Sequence, residues 1–455
     1  MDIIRCIIPL LLSIIEMVMN SLSGKMDFVE FQEKLAAKLQ EVGREISQKV
    51  LEEMDETIRK DKKNRRGWEI CRQDSKEMMT QFGMIRFRRT YYRHAQTKEH
   101  RYLLDEAVGY TSHMRIDTQV KAKVAQEAAD ASYRRSGESV GSRCGGETIS
   151  SQTVLKTVRQ FGKSVLLAKE KKVIEVLYIE ADEDHVASQK GKGFEAKLVY
   201  FHEGWAGGKR RSLINPVYFS AVETATDEFW NDIWEAVDAC YEIDKIRKIY
   251  VLGDGAWWIK KSFDVFPQAE FVLDRFHLMK SVKRAAGANK EQHQKLLGAL
   301  RFGNFEKVQE IMVQLLEEAP TETGKKRIGE ALVYLHNQWS GILKSYENKD
   351  LKCSAEGHVS HVLSERLSSR PMGWSREGAD HMAQIRVCKA NGMSVASEYV
   401  RQSRAKALPA ISISEETVKK QRAKLAKTRE ILNNIPVLKW HKTYLFEALQ
   451  GLSLG

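Results

Sequence analysis

The chain has 455 residues, 42% of them hydrophobic and 29% charged, with seven prolines and a formal net charge of +12. That length is more than one core usually serves, so two or three domains are expected, and the composition excludes a mostly disordered or fibrous chain. The cationic excess is densest in 59–102 and 399–430, which suits a polyanionic partner such as nucleic acid as well as it suits a plain solvated surface.

Six cysteines (Cys6, Cys71, Cys144, Cys240, Cys353, Cys388) show no C-x-x-C spacing. That pattern argues against a structural zinc site or a disulfide framework and for a reducing, cytoplasmic compartment. The apolar run IIRCIIPLLLSIIEMVM (3–19) is broken by Arg5, Pro9 and Glu16. It is short for a span and lacks a convincing cleavage site, so a docking helix, or translation from Met26, is expected rather than a stable membrane partner.

From Met26 to Lys60, Phe28, Phe31, Leu35, Leu39, Val42, Ile46 and Val50 recur at three- and four-residue steps. This predicts one long amphipathic helix, suited to self-association, and residues 1–60 are taken as an N-terminal helical region. In FGMIRFRRTYYRH (82–94), Ile85, Phe87 and Tyr91 alternate with Arg86, Arg88, Arg89 and Arg93. The pattern predicts a half-buried strand with a basic outer face, paired in a hairpin with a segment near 100–110. Arginines interleaved with aromatics on a small sheet suit a phosphate backbone.

The chain turns helical from Asp117, with Val120, Val124, Ala128 and Tyr133 on one face, and then breaks at GSRCGG. Ser150 or Ser151 caps the next helix, which turns Val154, Leu155 and Val158 inward and Gln152, Thr153, Lys156 and Arg159 outward. A helix, a glycine turn and a Ser-capped helix resemble a helix-turn-helix, so 61–165 is expected to be a hairpin-plus-helix region that binds double-stranded DNA.

Between 172 and 277 the periodicity is that of strands: three in succession, a helix, a fourth strand ending at YVLGDGAWW, and a short fifth at AEFVL. This predicts an α/β mixed sheet with crossover helices. Residues 278–350 read as an all-helical insertion, 351–387 as the return to the core, and 388–455 as a basic helical tail.

Three acids stand out by position. Asp182 lies in IEADEDH at the end of the first strand of the sheet, Asp254 follows the fourth, and Glu356 sits in the first turn of the helix after the insertion. Strand ends of a mixed sheet share a crevice, and carboxylates gathered there are reconciled by divalent cations with hard oxygen ligands. Two such ions can activate a water or a 3′-hydroxyl on one side of a phosphate and stabilise the leaving oxygen on the other. Period-two alternation places Glu180, Asp182 and Asp184 on one face, with Asp182 preferred and Asp184 as the alternate. Glu365 competes with Glu356 but lies nine residues further along a helix. Taken singly, an Asp-Gly after a strand is a common turn and an early helical Glu often serves only the helix dipole.

The runs YIEADEDHVASQ, YVLGDGAWWIKKSFDVFPQAEFVLDRFHLMKSV and CSAEGHVSHVLSERLSSRPMGWS resemble the transposases of the ISLre group of bacterial insertion sequences. That group has a ribonuclease H-like DDE core related to the Mutator-like superfamily, and the resemblance covers essentially 26–400. It implies a catalytic triad of Asp182, Asp254 and Glu356 holding Mg²⁺ or Mn²⁺, two ions in all, with a helical insertion before the Glu. DRFH supplies Asp274 and His277 in the place of a C/D-x-x-H motif, where His277 orients DNA or the scissile phosphate; otherwise it is a capped core histidine. The implied activity is cleavage at element ends and joining of the 3′-hydroxyl to target DNA, by at least a dimer on DNA in the nucleoid. Two alternatives remain: a transposase-derived DNA-binding regulator whose acids only cap and turn, and a nuclease without strand transfer. No Walker A or dinucleotide pattern suggests ATP or NAD chemistry.

Overall fold

The computed structural model describes residues 2–63, 65–164, 170–207, 212–348 and 351–406, with the isolated positions 419 and 423. It divides into two compact units, residues 1–121 with 139–148 and 403–455, and residues 122–138 with 149–402. Most of the expected basic tail therefore lies outside the described residues.

The first unit begins with α1 (Asp2–Leu22) and α2 (Phe28–Lys60). Asp27 caps α2 by accepting from the Glu30 N–H at 2.8 Å. Its apolar stripe is unevenly covered: Phe28, Leu39 and Val50 are exposed, while Leu51 and Ile58 near the C-terminal end are buried. Among the described residues no helix is long and apolar enough to cross a membrane.

A three-stranded sheet follows, β1 (Trp68–Thr80), β2 (Gly83–His94) and β3 (His100–Arg101), and then α3 (Leu103–Val108). The expected hairpin with the 100–110 segment is present but short, and a longer partner was not foreseen. The long antiparallel partner of β2 is β1, from Trp68↔His94 to Thr80↔Gly83, and β3 adds two pairs on the other edge. Alternation along β2 also slips at Arg88–Arg89, so Tyr92 rather than Tyr91 is buried with Ile85 and Phe87. The cause is Asp55 of α2, whose buried carboxylate draws Thr90 inward through its N–H (2.9 Å) and Oγ1 (2.6 Å).

Residues 118–158 form α4 (Thr118–Ala128), α5 (Tyr133–Arg143) and α6 (Ser151–Val158). The helical stretch from Asp117 is thus two helices, divided at 129–132. Gly137 and Gly141, one turn apart on α5, let the chain pass against that helix: a Cβ on Gly137 would meet the Ile149 carbonyl oxygen, and one on Gly141 that of Glu147, at 2.0 and 1.9 Å. Ser150 is the cap of α6, its Oγ accepting from the Thr153 N–H at 3.3 Å.

The second unit is built on a mixed sheet of β4 (Val176–Val186), β5 (Phe194–His202), β8 (Val217–Ala221), β9 (Lys248–Gly253) and β10 (Ala269–Leu273). A small separate pair, β6 (Trp205–Ala206) and β7 (Ser212–Leu213), interrupts the chain between β5 and β8. The sheet order is β10-β9-β4-β5-β8, with β4, β5 and β8 antiparallel in succession and β9 and β10 parallel to β4. Helix α7 (Thr226–Cys240) and the short α8 (Trp257–Lys260) supply the crossovers. On one face of β4, Leu177, Ile179 and Ala181 pack with Trp230, Ile233 and Val251 in the main core.

Helices α9 (Arg275–Ala286), α10 (Lys290–Arg301), α11 (Phe305–Glu318), α12 (Glu322–Asn337) and α13 (Trp339–Glu347) bury a core of their own around Leu278, Leu296, Leu300, Met312 and Leu335. The chain then returns through α14 (Ala355–Val359), a π-helical turn (Ser360–Ser364) and α15 (Glu365–Leu367), and ends its described course in α16 (Arg376–Ala390) and α17 (Val395–Lys406).

Candidate active site

Strands β4 and β9 run parallel with Glu180 opposite Leu252, so Asp182 and Asp254, each two residues further on, leave neighbouring strands at the same level. Adjacent strands lie about 4.8 Å apart. Asp254 follows the end of β9 as expected. Asp182 does not end its strand, because β4 keeps pairing with β5 as far as Val186↔Phe194; it is where the parallel neighbour stops.

The Asp254 turn is tightly held. Its Oδ1 accepts from the Ala256 N–H at 2.8 Å, and Gly255 adopts φ +85°. A Cβ on Gly255 would collide with the Gln338 side chain at 2.4 Å. From the helical segment, Tyr334 Oη donates to the Asp254 carbonyl at 2.8 Å and Gln338 Nε2 to that of Gly255 at 3.1 Å.

Three of the four candidate residues converge. One donor atom from each of Asp182, His277 and Glu356 lies within 4.8 Å of the others, a spacing that a single cation can span. Asp182 is 5% exposed; its Oδ1 accepts from the Glu183 N–H at 2.9 Å, and its Oδ2 is buried with no hydrogen-bond partner among the described residues. The Asp182 carboxyl is pushed up to about 7, chiefly by burial and further by the Asp254 and Glu183 charges, against the Glu183 N–H and His277, which pull it down. A buried carboxylate oxygen without a donor is what a bound cation would satisfy. Asp254 lies close enough to act electrostatically on both Asp182 and His277.

His277 is in the first turn of α9, whose cap is Asp274. Burial opposes its charging, but the Asp274 hydrogen bond and the Asp182 and Asp254 carboxylates outweigh this and raise it above the ordinary histidine range.

The competing acids are bonded elsewhere, Asp184 only in part, since its Oδ2 is buried with no hydrogen-bond partner among the described residues. Asp184 accepts from Ser368 Oγ at 2.7 Å, Glu365 from Arg386 Nη2 at 2.7 Å, and Glu183, on the opposite face of β4, from Trp258 Nε1 at 2.7 Å. Glu180 is fully buried, and its carboxylate accepts from His202 Nε2 (3.0 Å), Tyr200 Oη (2.7 Å), Ser354 Oγ and the Ser354 N–H. Burial alone would raise Glu180, yet these donors together hold it below the usual range. Ser354 precedes α14, so Glu180 ties the strand bearing Asp182 to the helix start bearing Glu356. Sequence reasoning missed this contact and those of Tyr334 and Gln338. The one available sign was an acid in phase with Asp182 on an otherwise apolar strand.

The predicted DNA contacts are placed in each unit separately. Arg86 and Arg88 are exposed and form no ion pair among the described residues, and Arg93 is exposed and pairs with Glu69 at 3.1 Å. Arg89 departs from the expected outward stripe. It pairs with buried Asp105, which also holds Lys76 at 3.0 Å, and its guanidinium lies 3.5 Å over the Tyr102 ring, so its charge is spent inside the unit. A cavity of about 760 Å³ beside this sheet is lined by Arg86, Arg101, Arg115, Tyr91, His100 and Tyr110, among others. On α6, Gln152, Lys156 and Arg159 are exposed and Thr153 is half-buried, bonded to Ser150; Arg159 pairs with Glu377 at 3.2 Å.

A family model described as an uncharacterised protein family, UPF0236, matches residues 21–403. The chain belongs to UPF0236. It is similar to a UPF0236 protein of Caldanaerobacter subterraneus subsp. tengcongensis whose name joins eleven locus designations, 37% identical over 95% of this chain and 93% of the relative. Another UPF0236 protein of that organism, whose name joins four, is 36% identical over 96% and 94%. A Streptococcus gallolyticus relative named as the UPF0236 protein in the vanSb 3′ region is 27% identical over 80% of this chain and 83% of its own length. None of these names states an activity.

Proposed function

We propose that this UPF0236 chain is a metal-dependent DNA transposase with a ribonuclease H-like DDE core. The observation that carries the reading is the convergence of Asp182, His277 and Glu356, Asp182 keeping a buried oxygen with no hydrogen-bond partner among the described residues, with Asp254 leaving the neighbouring strand tip. Three antiparallel strands joined to two parallel ones, with the acids at the boundary, support the fold part of the proposal. Relatives whose names join eleven and four loci of one organism are what an element that copies itself around a genome leaves behind.

Asp182, Asp254 and Glu356 would hold one or two divalent ions, which supply electrophilic stabilisation of a phosphoryl group and an activated oxygen nucleophile. The chain's own part is to fix those carboxylates: Gly255, Tyr334 and Gln338 set Asp254, and Glu180 sets the start of α14. In the reaction, water attacks a phosphodiester at the element end, and the P–O3′ bond breaks to free a 3′-hydroxyl. That hydroxyl then attacks a target phosphodiester, forming one P–O3′ bond as another breaks. Arg86, Arg88, Lys156 and their neighbours supply phosphate contacts to double-stranded DNA, and at least a dimer brings two ends together.

Asp182→Asn and Glu356→Gln, assayed for nicking of end-labelled duplex from the border of the chain's own gene, test the reading. Both variants should keep DNA binding by fluorescence anisotropy and lose nicking in Mg²⁺ or Mn²⁺. Undiminished metal-dependent nicking in either would remove that residue from the chemistry.

A further inference from the structure

His277 is built into the site more firmly than a residue that merely touches DNA would need to be. Its Nδ1 lies 3.0 Å from Asp274 Oδ2. Asp274 is 5% exposed, and its other oxygen accepts from the Phe276 N–H at 3.0 Å, so the carboxylate is held at both ends. In the neutral ring a carboxylate on Nδ1 keeps the proton there and leaves the lone pair on Nε2, where a cation takes the place of the second proton that the metal-free site favours. One ring nitrogen of His277 lies within 4.8 Å of carboxylate oxygens of both Asp182 and Glu356. With Nδ1 taken by Asp274, Nε2 is the nitrogen with a lone pair to offer a cation held by Asp182, whose Oδ2 is buried without a hydrogen-bond partner among the described residues.

Carboxylate, histidine and open coordination position in that order form the usual support of a metal-bound imidazole. We infer that His277 is itself a metal ligand through Nε2, completing with Asp182 and Glu356 a mixed nitrogen–oxygen site, and that Asp274 is its positioning residue. This rests on the metal-dependent reading above and sharpens it. An imidazole in the first coordination sphere favours Mn²⁺ and the later first-row cations over Mg²⁺, which prefers oxygen donors and retained waters.

The test uses the full chain with Mn²⁺ alone as the probe. Binding is followed by electron paramagnetic resonance, and directly bound nitrogen is detected by the ¹⁴N modulation of the electron spin echo. The wild-type chain should bind Mn²⁺ with the modulation of one imidazole. His277→Gln should abolish the modulation and weaken binding about 10–100-fold, while Asp274→Asn should keep the modulation and weaken binding about tenfold. Mg²⁺ should displace Mn²⁺ only at a large excess. Mn²⁺ bound to the wild type without ¹⁴N modulation would overturn the inference and leave the metal-dependent reading standing. No Mn²⁺ bound at all would overturn both. Should His277→Gln fail to fold, the wild-type spectrum alone decides.

Discussion

Three acids share one face of β4, and their neighbours separate them. Glu180 is saturated by His202, Tyr200 and Ser354, while Asp182 and Asp184 each keep one buried oxygen without a donor among the described residues, and it is Asp182 that comes within 4.8 Å of His277 and Glu356. The alternation that puts all three on one side was legible in the sequence. Which of them joins the site was not, because the deciding partners come from positions 200–202, 277, 354 and 356. The same isolation fixes a pH dependence for the metal-free protein. Asp182 titrates near 7 when folded and near the ordinary aspartate value, about 3.9, when unfolded. The folded state therefore binds the extra proton between those values, and this group's stabilisation is complete below pH 4 and lost as pH rises to 7. The loss is on the order of 2–4 kcal/mol. Asp182→Asn, which cannot ionise, should melt several degrees higher than wild type at pH 8 in chelator and show little gain at pH 4. Equal melting shifts at the two pH values would mean that the carboxyl is not held protonated by the fold.

Elements meet at the site through a buried charge. Glu180 and His202 are both fully buried on β4 and β5, and the Glu180 carboxylate also grips the residue that starts α14. Removing one partner of such a pair strands the other, at about 3–5 kcal/mol. His202→Ala should therefore destabilise the chain by that much in urea unfolding, and adding Glu180→Gln should recover part of the loss. Additive losses in the double variant would show that the two side chains do not depend on each other. At this scale the sequence was informative where periodicity and burial agree, as in β4, β9, β10 and the helices from α9 to α13. It was silent on β1. The segment WEICRQDSKEMMT alternates poorly because its first half is exposed on both faces, so no apolar period marks it. The Tyr92 misreading has a similar origin: a buried Asp55 on α2, 37 residues away, reset the phase of β2.

Over the whole molecule the +12 charge is divided between cations spent inside the fold and cations left at its surface. Lys76 and Arg89 neutralise Asp105, and Arg386 bonds Asp130 and Glu365, whereas Arg86, Arg88 and Lys156 stand exposed without an ion pair among the described residues. Composition could not draw that division, since it depends on which acids the fold places nearby. Arg86→Ala and Lys156→Ala should each flatten the dependence of log DNA affinity on log salt by about 0.9 per lost phosphate contact and leave melting unchanged. Arg89→Ala should instead lower the melting temperature. An unchanged salt slope in both surface variants would remove Arg86 and Lys156 from the proposed DNA contact. Under the proposed function this charge delivers DNA to Asp182, Asp254 and Glu356. Its most direct test is a joining assay with purified full-length protein, an end-labelled duplex carrying the terminus of its own element, a target duplex and Mn²⁺ or Mg²⁺, run beside Asp254→Asn. The wild type should give metal-dependent joined products and the variant none. Joining by Asp254→Asn at the wild-type level, or specific binding of that terminus by the wild type with neither nicked nor joined product, would contradict the proposed function.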